Sequence, residues 1–319
     1  MLKKDIKTGV GINLYKNDMK KIKLVIIVFL GFLTFSGCSK DDDNPSTRAT
    51  GDLNLTITGL EDLGSDYAYE GWLIVGGNPV SAGVFNVDSS GDLSQTSFSI
   101  DKSDLDNATG YVITIEPSPD NDAGPSEVHI LSGEFSDTNS AALTIDHDAA
   151  LGEDFLDSTG SYFLATPSDN DFSLNESSGV WWIIEGDDAL EPALSLPSLP
   201  SAWTYEGWAV VNGQPLSTGK FSSPIGADDF SGFSALDEET PDFPGEDFLI
   251  NATDGFDFPA ELLGSKIVIS VEPIPENSPA PFLLKPLVAD VSPTAEIHQS
   301  HDMENNALAN NPVGVVVRL

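Results

Sequence analysis

Four glutamates sit where chemistry could be done. Glu70 and Glu206 each stand two residues before a tryptophan, Trp72 and Trp208, and Glu116 and Glu272 each precede a proline at the end of an apolar run. A carboxyl pair held about 5–10 Å apart across a cleft can hydrolyse a glycosidic bond, one group as acid and the other as base or nucleophile. Tryptophan can supply a stacking face for the sugar. The competing reading is that each glutamate accepts backbone N–H groups in a loop or caps a sheet. Duplication favours that second reading, because a position kept in two copies reports what the fold needs, whereas one active site has no use for doubling. By the same logic Trp72 and Trp208, whose neighbours are apolar, belong in the core. The adjacent Trp181 and Trp182 must point to opposite sides of a strand, which predicts one of them at the surface.

The remaining chemistry is thin. His298, His301 and Asp302 have a metal-like spacing if that segment is helical, but no HExxH or cysteine cluster accompanies them. Asp120, Asp122 and Gly124 begin like a calcium loop without its later ligands, and the second copy offers only Glu276-Asn277, so a solvated turn is expected. No nucleophile elbow, phosphate-cradling Gly-Lys loop or dinucleotide fingerprint is present. The expectation is a non-catalytic protein with no catalytic residues, metal or cofactor. A carbohydrate-active or metal-dependent hydrolase stands third among the readings, and would require Glu70 or Glu206 to carry activity.

The single cysteine has a different task. Lys20, Lys21 and Lys23 precede the apolar run Leu24 to Phe35, which is too short to span a bilayer and ends in Phe35-Ser36-Gly37-Cys38. This pattern resembles a lipobox, with Phe35 in place of the usual leucine, so residues 1–37 are expected to be a cleaved signal peptide with its true start at Met19. Cys38 is expected to carry lipid, whose several chains anchor firmly because each buried methylene contributes about 0.8 kcal/mol. Ser39-Lys40-Asp41-Asp42-Asp43 resembles the export signals of Bacteroidota lipoproteins, which implies an outer-membrane, surface-exposed destination. Residues 38–51 read as an acidic linker.

Of the 14 basic and 51 acidic residues in the 319-residue chain, seven and two precede Cys38, so residues 38–319 carry a net charge of −42. Such a surface repels phosphates, which excludes nucleic acid and polybasic-type membrane binding; the membrane contact expected is the lipid on Cys38. With one cysteine no intramolecular disulfide can form, and the fold rests on its apolar core.

The chain is internally duplicated. Tyr69-Glu70-Gly71-Trp72 recurs as Tyr205-Glu206-Gly207-Trp208, and Pro79, Ser81, Gly83 and Phe85 recur as Pro215, Ser217, Gly219 and Phe221. Tyr111–Pro117 answers Ile267–Pro273 at a larger offset, which places an insertion between Phe221 and Phe258. Each copy predicts a buried strand, a tight turn at Gly76-Gly77 or Asn212-Gly213, and a returning strand opened by proline, with a bulge at Gly83 or Gly219. Further strands are expected at Ala141–Ile145, Tyr162–Ala165, Val180–Ile184 and, closing the chain, Val313–Leu319. Ser103–Asn107 and Pro259–Gly264 each predict a single helical turn, and Leu194–Pro200 a stiff connector. The fold class is all-β: two related β-sandwich-like domains in tandem, residues 52–195 and 196–319.

In this order the motifs Tyr-Glu-x-Trp, Pro-(Val/Leu)-Ser-x-Gly-x-Phe and (Ile/Val)-Glu-Pro resemble the C-terminal extracytoplasmic domain of anti-sigma-K factors, over residues 52–135 and again over 196–290. The resemblance implies a domain type and an envelope role. In that family the sigma-binding part is a separate cytoplasmic segment joined by a membrane helix, and this chain departs there, since its apolar run ends in a lipobox. The leading expectation is a binding, sensing or structural module of the cell envelope with an unassigned protein or glycan partner. The second is an extracytoplasmic signalling component related to anti-sigma factors.

Overall fold

The strand-forming runs become strands because their side chains can be buried on both faces. The computed structural model describes residues 48–136, 138–235, 240–275 and 278–319. The signal peptide, Cys38, the Ser39–Asp43 segment and Glu276-Asn277 lie outside the described residues. The described chain is almost entirely β, in antiparallel sheets, as its alternating and continuous apolar runs require.

The first copy contributes β1 (Thr50–Thr58), β2 (Tyr67–Val75), β3 (Asn78–Phe85), β4 (Ser97–Asp101), a short helix α1 (Lys102–Asn107), β5 (Ala108–Pro117), β6 (His129–Glu134) and β7 (Ser140–Leu143). Between the copies run β8 (Thr159–Leu164), β9 (Gly179–Trp181), β10 (Ile183–Glu185), β11 (Leu190–Pro192) and β12 (Leu194–Ser195). The second copy holds β13 (Trp203–Val211), β14 (Gln214–Phe221), β15 (Gly245–Asp247), β16 (Lys266–Pro273), β17 (Leu287–Asp290), β18 (Ser300–Asp302) and β19 (Glu304–Asn305), and β20 (Val313–Arg318) ends the chain.

The duplicated part folds twice in the same way. Sheet β3-β2-β5-β6 corresponds to β14-β13-β16-β17, to which β19 is added. Gly76 and Gly77 take φ of 59° and 80°, and Asn212 and Gly213 take 53° and 80°, the left-handed pair that a two-residue hairpin needs. Opposite Gly71-Trp72 the partner residues step from Gly83 to Ser81, so Ala82 is bulged; Thr218 is bulged in the second copy. Gly83 and Gly219 adopt φ of 121° and 129°, which only glycine takes easily.

The closing strand does not close the second copy. β20 lies between β1 and β7, pairing Val316 with Leu55 and with Ala141, so residues from both 52–195 and 196–319 build that sheet. Arg318 completes the tie. Its guanidinium donates to the carbonyls of Leu105, Ala108 and Thr138 and stacks 4.1 Å from the centre of the Phe135 ring. Residues Thr47–Leu319 form one compact unit, with Leu53, Tyr69, Ile113 and Leu131 sharing a continuous core with Trp182, Tyr205, Ile269 and Leu287.

Two local expectations are corrected. Trp181 and Trp182 are both buried, because each side of their strand has its own core: Trp181 packs with Phe163 and Ile183, and Trp182 joins the main core beside Phe221. Pro259–Gly264 is not helical but a chain of turns. Its N–H groups bond outward, Ala260 to the Phe248 carbonyl, Leu262 to Ser177 and Gly264 to Val291, and these contacts outweigh a six-residue helix that is costly to nucleate.

Candidate functional site

Glu116 and Glu272 each end a polar relay inside their own copy. Trp72 lies in the middle of β2 and donates its indole N–H to Thr114 Oγ1 at 2.9 Å; the Thr114 hydroxyl donates to Glu116 Oε1, which also accepts the Ser126 N–H at 2.8 Å. In the second copy Trp208 donates to Ser270 Oγ at 2.8 Å, the Ser270 hydroxyl to Glu272 Oε1, and the Phe282 N–H to the same oxygen at 2.9 Å. Ser126 and Phe282 each sit ten residues after their glutamate. The relay therefore pins the β5–β6 loop and the β16–β17 loop to their sheets, satisfying indole, hydroxyl and amide donors that would be costly to bury unpaired.

Glu70 and Glu206 do a related job across the hairpins. Ser81 and Ser217 donate to their Oε1 atoms, and Glu206 has Lys220 Nζ 3.9 Å from Oε2 where the first copy places Val84. Burial raises the Glu70 carboxyl, against the lowering effect of the Ser81 hydroxyl. Tyr69 and Tyr205 stack on Phe85 and Phe221 with ring centres 5.6 and 5.7 Å apart. Their hydroxyls donate to the carbonyls eight residues back, Glu61 and Pro197. Pro79 and Pro215 sit at the second position of β3 and β14, next to the hairpin turns.

A cleft of about 590 Å³ is walled by both copies. The first copy supplies the β1–β2 loop from Glu61 to Tyr67, the end of β5 at Ile115 and Pro117, and Ser126–Val128; the second supplies Glu272–Pro275, Ser278, Pro279 and Phe282. The same loop of each copy, held by the same relay, thus faces the other copy across the cleft. Four prolines stand in its wall, each with φ fixed by its ring. Burial pushes the Glu61 carboxyl up to about 7, opposed by the Lys285 ammonium and by the Leu283 N–H that it accepts. Lys285 is itself lowered by burial, which the charges of Glu61 and Glu272 counter.

A second concavity of about 400 Å³ lies over β13 and β14 and contains Glu206, Trp208 and Lys220. Glu272 lines the first cleft and Glu206 the second, so neither brings two of the duplicated carboxylates together. The other candidates are scattered. His298 Nε2 lies 2.7 Å from Glu176 Oε2, while His301 Nε2 lies 2.8 Å from the Glu296 carbonyl and its residue belongs to β18, not to a helix. Asp120 and Asp122 accept the N–H groups of Asp122 and Gly124 in successive exposed turns. Among the described residues no group of three or more His, Cys, Asp or Glu is placed to hold a metal ion.

Sequence reasoning did not single out the acids of the second-copy insertion. Asp247 accepts the Ser168 N–H at 2.8 Å, the Ser168 hydroxyl at 2.5 Å and the Trp181 indole at 2.8 Å. Glu246 accepts the Ser234 hydroxyl, and Asp228 accepts the Gly245 N–H at 2.9 Å. Burial pushes Asp228 and Glu246 up to about 7 and Asp247 up to about 6. No periodic signal marks them, since they lie in a stretch where Gly, Pro, Asp and Phe alternate irregularly.

Comparison with known proteins finds a similarity in the first copy. Residues 46–128 match the family described as "Anti-sigma-K factor rskA, C-terminal". The match spans β1 to the end of the β5–β6 loop and so contains the complete first relay, Trp72, Thr114, Glu116 and Ser126. No curated protein and no solved structure matches the chain.

Proposed function

We propose that the chain is a non-catalytic envelope lipoprotein, lipid-anchored through Cys38 to the outer membrane and exposed at the surface, whose paired β-repeats form a binding module. The observation that carries the reading is the use to which the duplicated glutamates are put. Glu116 and Glu272 hold loops, Glu70 and Glu206 tie hairpins, and what those loops enclose is a cleft between the copies. Duplicated glutamates engaged in holding loops and hairpins support a fold that presents a cleft for recognition more than one that uses them for proton transfer. The net charge of −42 on residues 38–319 favours partners other than nucleic acid.

The test is photo-crosslinking in intact cells. A photoreactive side chain replaces Ile274 in the cleft wall or, as control, the exposed Leu308 outside it. The expected result is a discrete adduct from position 274 only; the same pattern at both positions, or an adduct at neither, contradicts a binding role for the cleft.

A second reading is favoured by the family match: an extracytoplasmic component of a signalling system, acting on a membrane-spanning partner. It predicts that the adduct at position 274 contains an integral membrane protein.

A further inference from the structure

The charges around the inter-repeat cleft are of one sign. Among the described residues five carboxylates line it, and no lysine or arginine does. Asp62, Asp66 and Glu127 are exposed at its lip, whereas Glu61 and Glu272 are set back in the walls, where Lys285 stands behind them. The floor between these acids is apolar: the buried Ile115, Val128 and Phe282 line it, and Ile274 beside them is 46% exposed although it is large and aliphatic. A free metal ion or a small polyamine could answer the carboxylates but would leave the apolar floor wet. A neutral apolar ligand would bury the floor and leave the carboxylates of the lip unanswered. A chain that presents cationic and aliphatic side chains in alternation satisfies both, and the volume of about 590 Å³ falls within the range of about 300–1,000 Å³ typical of ligand sites.

We propose that the occupant of this cleft is a peptide segment of a partner protein in which lysine or arginine alternates with aliphatic residues. The cationic side chains pair with Asp62, Asp66 and Glu127 at the lip, and the aliphatic ones cover Ile274. This rests on the binding-module reading given above and specifies its ligand. The strongly acidic surface as a whole draws a basic segment in and speeds the encounter, but specificity comes from the floor.

The experiment is fluorescence anisotropy of the full chain with a labelled ten-residue peptide alternating lysine and valine, beside lysine-serine and glutamate-valine peptides of the same length. The lip variant carries Asp62→Asn, Asp66→Asn and Glu127→Gln. The control variant neutralises three exposed acids outside the cleft, Asp148→Asn, Asp187→Asn and Asp188→Asn. The expected result is a lysine-valine affinity at least tenfold lower in the lip variant and within twofold of native in the control, with the other two peptides bound at least tenfold more weakly throughout. Equal losses in both variants mean attraction to overall charge and overturn the proposal; so does equal binding of lysine-valine and lysine-serine, or full displacement by equimolar spermidine. A crosslink at position 274 without lysine-valine binding would overturn this ligand while leaving the binding module intact. Absence of both would remove both readings.

Discussion

The two copies differ most just after the glycine that they share. Gly83 and Gly219 hold the same positive φ and oppose the same residue of the neighbouring strand, Gly71 and Gly207. In the first copy a Cβ on that glycine would come within 2.5 Å of the Phe98 ring, part of a strand that pairs with β1. In the second it would come within 2.6 Å of the Asp228 carboxyl, part of an insertion that carries Glu246 and Asp247 inward on β15. One bulge thus receives an apolar neighbour in one copy and a half-buried acid in the other, while the Trp–hydroxyl–Glu–loop relay is unchanged. What is kept twice holds the sheet and its loop together; what has diverged changes how each copy is covered and how it responds to pH.

The largest effect should come from removing what the copies share. Deleting Val313–Leu319 takes out the strand between β1 and β7 together with Arg318, exposing two strand edges and the core around Leu55. Circular dichroism should then show no cooperative unfolding transition; a native-like one would mean that the first copy stands without β20. Next come Glu116→Ala and Glu272→Ala. Each removes the carboxylate that accepts both a buried hydroxyl and a loop N–H, leaving the hydroxyl only a 3.5 Å carbonyl and the N–H without that acceptor, and should cost about 3 kcal/mol in urea unfolding. Losses that differ by more than about 2 kcal/mol would break the equivalence of the two relays.

Smaller again are Gly83→Ala and Gly219→Ala, each expected to cost about 2 kcal/mol from the positive φ and the close neighbour. Asp228→Ala should recover part of the loss in the second copy by removing the carboxyl that the new Cβ meets, whereas Phe98→Ala should deepen the loss in the first by opening a cavity.

The smallest effect is the pH response. Glu61, Asp228 and Glu246 are raised to about 7 and Asp247 to about 6, all by burial. Between pH 4 and 7 the native state therefore holds protons that the unfolded chain has released, and stability falls as pH rises. Melting at pH 8 should lie below melting at pH 5, and Asp228→Asn should shrink that gap by about 2–4 °C. A gap unchanged by the substitution would show that Asp228 does not carry the pH response.

Much of this architecture is legible in the residues. Gly76-Gly77 and Asn212-Gly213 announce their turns, the apolar run of β2 announces a central strand, and the two offsets locate the insertion. Thr114 and Ser270, the middle of each relay, align at the second offset and could have been paired with Trp72 and Trp208 by counting across the hydrogen-bonded strands. Other features depend on partners far away in the chain. Nothing in Val313–Arg318 tells that its neighbours are β1 and β7, because alternation specifies a strand and not its register partner. The burial of both Trp181 and Trp182 required a second small core around Phe163, and Pro259–Gly264 lost its helix to bonds with Phe248, Ser177 and Val291. The cleft is legible only once both copies are placed side by side.

Scanning calorimetry of the full chain and of its Glu116→Gln variant tests most directly whether the two copies form the single body that a preformed cleft requires. The account predicts one transition from the described fold in each protein, displaced as a whole to lower temperature by the substitution. Two resolved transitions, with only one of them displaced, would show copies that unfold independently and would contradict it.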